Sequence, residues 1–228
     1  MTPTASDYSE LLQEAKELAQ VLRDSLPKDI YAGSLTLKSK LPFKAISIRE
    51  LLIHRQSELV DAAIVLCEAD RLVPAFVVTR AAVETTAVTY LLYRNMKQFV
   101  TSRDVHQFSE FLMRGLFGSK NDFTPEEAVI VLTAIDHLDK ESEDFRKMYD
   151  SLCEFTHPNY AGVFGAFGLM EEETSTLRLG KKYQAVPTLM AVGPLVISLK
   201  LFQKYYNDSA KLLTTLNQLF EQGVVSHN

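Results

Sequence analysis

The chain has 228 residues, 46% of them hydrophobic and 23% charged, and a net charge of −5. Those proportions belong to an ordinary globular chain and exclude a disordered or fibrous one. Two cysteines, Cys67 and Cys153, with no Cys-x-x-Cys spacing, argue against a disulfide framework and a zinc site.

Length alone allows one large domain, and no low-complexity linker or internal repeat divides it. The single helical domain is read as an N-terminal helix and loop over 1–44, a core bundle over 45–160, a loop or hairpin over 161–184 and closing helices over 185–228. The N-terminus lacks the basic-then-apolar pattern of a leader. The longest uncharged apolar run, 185–199, falls short of the roughly 20 residues a spanning helix needs. A cytoplasmic protein without a membrane segment is expected.

Charge is distributed unevenly. From Arg23 to Arg55 seven basic residues face three acidic ones, a net of +4, whereas Glu110 to Glu154 holds eleven acids against five bases, a net of −6. A polyanion would prefer the first segment, and two solvated faces are the plainer reading.

In chain order, Leu11, Ala15, Leu18 and Leu22 recur at helical spacing, which predicts a helix over 6–26 stopped by Pro27. Residues 27–44 carry no period and read as a long loop. Ser47-Ile-Arg-Glu50 has the capping-box pattern and predicts a helix from there to Ala69, with Leu51, Leu52, Leu59, Ala62, Ala63, Leu66 and Cys67 inward. Pro74 opens a third helix reaching Met96, apolar or small on most sides and therefore the expected spine. A fourth helix spans 103–116. Thr124-Pro-Glu-Glu127 combines a cap, a first-turn proline and a glutamate, and predicts a fifth helix there. A sixth follows over 142–156. Residues 163–180 turn aromatic, β-branched and glycine-punctuated, as a small hairpin would be. Two closing helices are expected at 187–206 and 208–222, the second capped by Asp208 and ended by Gly223. The fold class is an all-α bundle of seven or eight helices with a small β-hairpin.

Within the spine, Arg80 and Glu84 lie four apart on one face, with Thr85, Thr86, Thr89 and Tyr90 nearby. Buried charges need partners, so each should pair with the other or with a neighbouring helix. The stretch from Tyr149 to Tyr160 places Tyr149, Cys153 and His157 at successive i, i+4 positions, with Pro158 halting the helix. An imidazole at a helix end lies near the carbonyl pole of the dipole, which suits a general acid or a phosphate contact. The bland reading is a packed or capping histidine. Cys153 as a nucleophile would need an orienting group and an oxyanion hole that nothing in the sequence supplies.

Arg49 with His54 forms the alternative pair, at the Arg-x4-His spacing of HEPN ribonucleases. His54, Glu58 and Asp61, or His137 with Asp136 and Asp139, could offer metal ligands, yet no His-x3-His or Glu-x-x-His pair occurs. Walker, dinucleotide and nucleophile-elbow motifs are absent, so no metal or cofactor is expected.

Arg80-Ala-Ala-Val-Glu84 followed by Tyr149-x-x-Leu152-Cys153-x-x-x-His157 resembles a bacterial helical family of unknown function, loosely HEPN-like. Its pattern is Arg-x-x-x-Glu, then Tyr-x-x-Leu-Ser-x-x-x-His; Cys153 stands where the serine is expected. The resemblance covers roughly residues 45 to 165. It implies that Arg80, Glu84, Tyr149 and His157 converge between the third and sixth helices. The functional expectation is a helical binding module acting in bacterial stress or phage defence, on RNA or a small molecule, and forming a homodimer. The alternatives are a metal-independent HEPN-like ribonuclease and a purely structural polar network.

Overall fold

The computed structural model describes residues 5–121, 123–180 and 186–225; side chains are described from residue 9 and, after 180, from 191. The leader reading rests on Met1–Asp7, of which Met1–Thr4 lie outside those residues. Among the described residues seven α-helices follow in order: α1 Ala5–Asp24, α2 Leu41–Glu68, α3 Leu72–Ser102, α4 Val105–Phe117, α5 Val131–Asp139, α6 Phe145–Thr156 and α7 Val186–Glu221. One turn of 3-10 helix (Ala32–Ser34) precedes α2, and a π-helical segment (Tyr160–Gly165) joins α6 to a hairpin of β1 Gly168–Glu171 and β2 Thr176–Leu179. The fold is the all-α bundle with a small hairpin that the periodicities predict.

α3 is the spine: α2 and α7 pack along it, and α4, α5 and α6 also contact it. Ala75, Ala82, Val83 and Ala87 are its fully buried small residues, and they let neighbouring helices approach closely. By length and composition α3 is also the described helix apolar enough to cross a bilayer, with half of its most apolar window buried in the bundle. The core has two parts. The larger joins α1, α2, α3, α5, α6 and α7, and the smaller gathers Leu41, Met96, Phe99, Phe108, Leu112 and Phe220 at the far end of α3.

Helix ends are set by local chemistry. Arg103 adopts a left-handed conformation (φ 61°) to close α3, and Asp104 then caps α4 by accepting from Gln107 N at 2.9 Å. Gly223 (φ 70°) ends α7 as expected.

Three sequence signals are overridden. α2 begins at Leu41, so Ser47 is not a cap; its hydroxyl donates back to Phe43 O at 2.7 Å. Burial of Leu41, Ala45 and Ile48 drives the earlier start, Ser39 Oγ accepts from Leu41 N, and Pro42 sits where no helical donor is needed. On this helix Leu51 and Ala62 face outward, and Ile53, Val60 and Ile64 are buried instead. The Thr124 motif does not open a helix. Thr124 Oγ1 donates to Phe117 O, while Ser119 pairs its backbone with Glu126 and Ala128, so these groups are satisfied against the end of α4. α5 starts at Val131, where Ala134, Ile135 and Leu138 reach the core.

The two closing helices are one. Buried Leu195, Leu199, Phe202, Ser209, Leu216 and Phe220 keep a single 3.6-residue phase through the expected break, with Asn207 and Asp208 off that stripe. Asp208 is thus an interior residue rather than a cap. Interior Asn and Asp cost under about 1 kcal/mol each relative to alanine, too little to interrupt that burial.

In the hairpin Gly168 pairs with Leu179 and Glu171 with Thr176, and Glu171 also pairs with Arg178. The left-handed residue Ser175 closes its turn.

Candidate functional site

Tyr149, Arg80 and Glu84 meet between α3 and α6. The amphipathic face of α6 buries Phe145, Tyr149 and Leu152 against the spine. One turn before Arg80, Phe76 stacks on Phe155 with centroids 4.3 Å apart, clamping the last turn of α6 onto α3.

Arg80 Nε donates to Glu84 Oε1 at 3.1 Å, its Nη2 to the Tyr149 hydroxyl at 3.1 Å and its Nη1 to Thr156 Oγ1 at 3.2 Å. Tyr149 in turn donates to Glu84 Oε1 at 2.9 Å. The three side chains close a ring of charge-assisted hydrogen bonds. Burial first, and then the adjacent Glu84 carboxylate, push the Tyr149 phenol up to about 12. Burial works against the Arg80 cation, but its bond to Tyr149 and nearby negative groups outweigh that and raise its pKa. The cluster is not sealed: the Arg80 and Glu84 side chains remain 30% and 25% exposed.

His157 is the C-cap of α6: its backbone N–H donates to Cys153 O at 3.2 Å, which completes the i, i+4 step, and the chain leaves the helix from there with extended backbone (φ −89°, ψ 148°). Its ring is exposed and makes no hydrogen bond among the described residues, and its chain neighbour Thr156 is the contact to Arg80. Beyond it Asn159 Oδ1 caps the π-helical segment by accepting from Gly162 N.

The alternative pair is split. Arg49 is buried, pairs with Glu50, donates to Tyr206 O and Ser209 Oγ, and lies 3.5 Å over the Tyr206 ring. Tyr206 donates to Glu50 Oε2. Burial and then the Glu50 bond raise the Tyr206 pKa. His54, by contrast, is on the outside, held to Pro27 O at 2.8 Å. The described residues therefore contain two Arg-Glu-Tyr assemblies, one at α3–α6 and one at α2–α7. Glu50, Tyr206, Ser209 and Thr156 were missed in the sequence; the adjacent charges Arg49-Glu50 in an apolar stretch were the available signal for the second assembly.

The hydroxyls expected beside Arg80 go elsewhere. Thr85 accepts from Arg55, Thr86 meets Ser198 at 2.7 Å, and Tyr90 packs edge-on against Tyr205. Of the residues weighed as metal ligands, Asp61 pairs with Arg23 and Asp136 with Arg146.

No family model, no curated protein and no solved structure matches this chain.

Proposed function

We propose that this chain is a helical binding module that takes an anionic ligand or partner at the Arg80, Glu84 and Tyr149 cluster, with His157 at its edge. The observation that supports this reading is the state of Arg80. Its Nε and one N–H of each terminal nitrogen are committed to protein partners, so two N–H donors remain on a side chain with an exposed edge. A guanidinium fixed by its own network and open on one side is pre-organised to receive a carboxylate or phosphate. The reading agrees with membership of the bacterial helical family that the motifs resemble, and carries with it a homodimer and a role in stress or phage defence.

The test is thermal unfolding with inorganic phosphate, a mononucleotide and short RNA, comparing wild type with Arg80→Gln. Ligand at a hundred times its Kd stabilises by about 2.7 kcal/mol. That stabilisation should vanish in Arg80→Gln, and its retention there would sink the reading.

The ribonuclease is the second reading, supported by an exposed imidazole directly following the residue that bonds Arg80. It predicts RNA cleavage in EDTA that His157→Ala abolishes while stability changes by less than about 1 kcal/mol. His54→Ala should retain activity, because Arg49 is committed to the Glu50 and Tyr206 assembly. No cleavage by folded wild type leaves binding without catalysis.

A further inference from the structure

A second site lies about 21 Å along α3 from Arg80, taking 1.5 Å per residue. There α3, α4 and residues 129–133 enclose an open groove of about 360 Å³, within the range of small-ligand pockets. Its apolar wall is Leu91, Phe111, Val129 and Ile130. Its polar side is donor-rich.

Arg94 projects from the spine, is half-buried, and makes no hydrogen bond or ion pair among the described residues. Arg114 is oriented from α4 by donating through Nε to Glu127 O and through Nη2 to Ala128 O, both at 3.3 Å, which leaves Nη1 uncommitted. Gln107 accepts from Gln98 through Oε1, so its amide N–H groups remain to donate. Glu110 is the acid in the lining, likewise without an ion pair among the described residues. The lining carries one net positive charge. Gly118 helps to hold this geometry: a Cβ there would meet Arg114 O at 2.3 Å and Ala128 Cα at 2.6 Å, so the chain can close against α4 only with glycine.

We infer that this groove binds a small organic monocarboxylate, its carboxylate held by Arg94 with Arg114 and Gln107, and its hydrocarbon body against Leu91, Phe111 and Ile130. A half-buried guanidinium with no ion-pair partner among the described residues favours an anion, and forked donors suit a carboxylate. The single net positive charge matches a monoanion better than a phosphate dianion. The apolar wall requires a body that an inorganic anion lacks.

Calorimetric titration of the full chain with octanoate tests this, with octan-1-ol and inorganic phosphate as controls. One equivalent of octanoate should bind and neither control should compete. Arg94→Leu should weaken octanoate at least about tenfold, as loss of a charged hydrogen bond does. Ile130→Asp, at an exposed position in the wall, should weaken it similarly without touching the core. Both losses should persist in an Arg80→Gln background, which separates this site from the α3–α6 cluster. Absence of octanoate binding by folded wild type, equal binding of octan-1-ol, or binding unaffected by both groove variants would overturn the inference.

Discussion

The Tyr149 hydroxyl donates to Glu84 Oε1 at 2.9 Å while accepting from Arg80 Nη2 at 3.1 Å. Only the neutral phenol fits that place, since a phenolate would face the Glu84 carboxylate. The folded phenol titrates at about 12 against an ordinary 10.0. Its folded pKa lies above its unfolded one, so the stability it contributes is complete below pH 10 and is lost as pH rises towards 12. Denaturant titrations across that window should show wild type losing stability more steeply than Tyr149→Phe. Tyr90, Tyr205 and Tyr206 remain in both proteins, so the difference isolates Tyr149. Equal slopes would place the phenol outside the hydrogen-bonded ring.

The Arg49 and Glu50 pair should behave as a buried salt bridge, with side chains only 11% and 9% exposed. Arg49→Met strands the carboxylate and is expected to cost about 3–5 kcal/mol, while the double variant Arg49→Met, Glu50→Leu should recover much of the loss. Urea unfolding at neutral pH measures both. A single variant as stable as wild type would show that the pair contributes little.

Gly162 sits where its Cβ would meet His157 O at 2.2 Å and Phe155 O at 3.0 Å. Those are backbone atoms and cannot swing aside. Gly162→Ala should therefore cost about 1–3 kcal/mol and raise hydrogen exchange through 157–165. Gly193, in the interior of α7 with no described atom within 4 Å of its Cβ position apart from its own helix backbone and chain neighbours, is the control. Gly193→Ala should be neutral or stabilise by up to about 1 kcal/mol. The reverse order would contradict this packing.

The two cysteines should differ in reactivity. Cys67 is 3% exposed, and burial pushes its thiol up to about 11, whereas Cys153 is half-buried near the surface of α6. The thiolate is the reacting form. A disulfide reagent should label Cys153 in the native protein and Cys67 only on unfolding. Two equally fast thiols would indicate that the α2–α3 packing opens readily.

Much of the fold was legible because long amphipathic or apolar periods carry their own phase. α1, the spine and α6 fall where that phase predicts, and Pro27 and Pro158 each lie within three residues past a helix end. Capping patterns were poorer guides. Ser47 and Thr124 both carry sound local signals, but a cap contributes roughly 1 kcal/mol, and burial of Leu41 and Ile48 or of Ile135 and Leu138 outweighs it.

By itself the sequence determined the class, the central helix and the pairing of Arg80 with Glu84, because helical spacing and the cost of buried charge leave few alternatives. Only the tertiary structure decided that Tyr149 and Thr156 reach Arg80 from α6, that α7 runs unbroken past Asp208, and that Arg49 belongs with Tyr206 rather than His54. Those outcomes depend on partners as distant as 157 residues along the chain, and no local pattern encodes which helix will supply them.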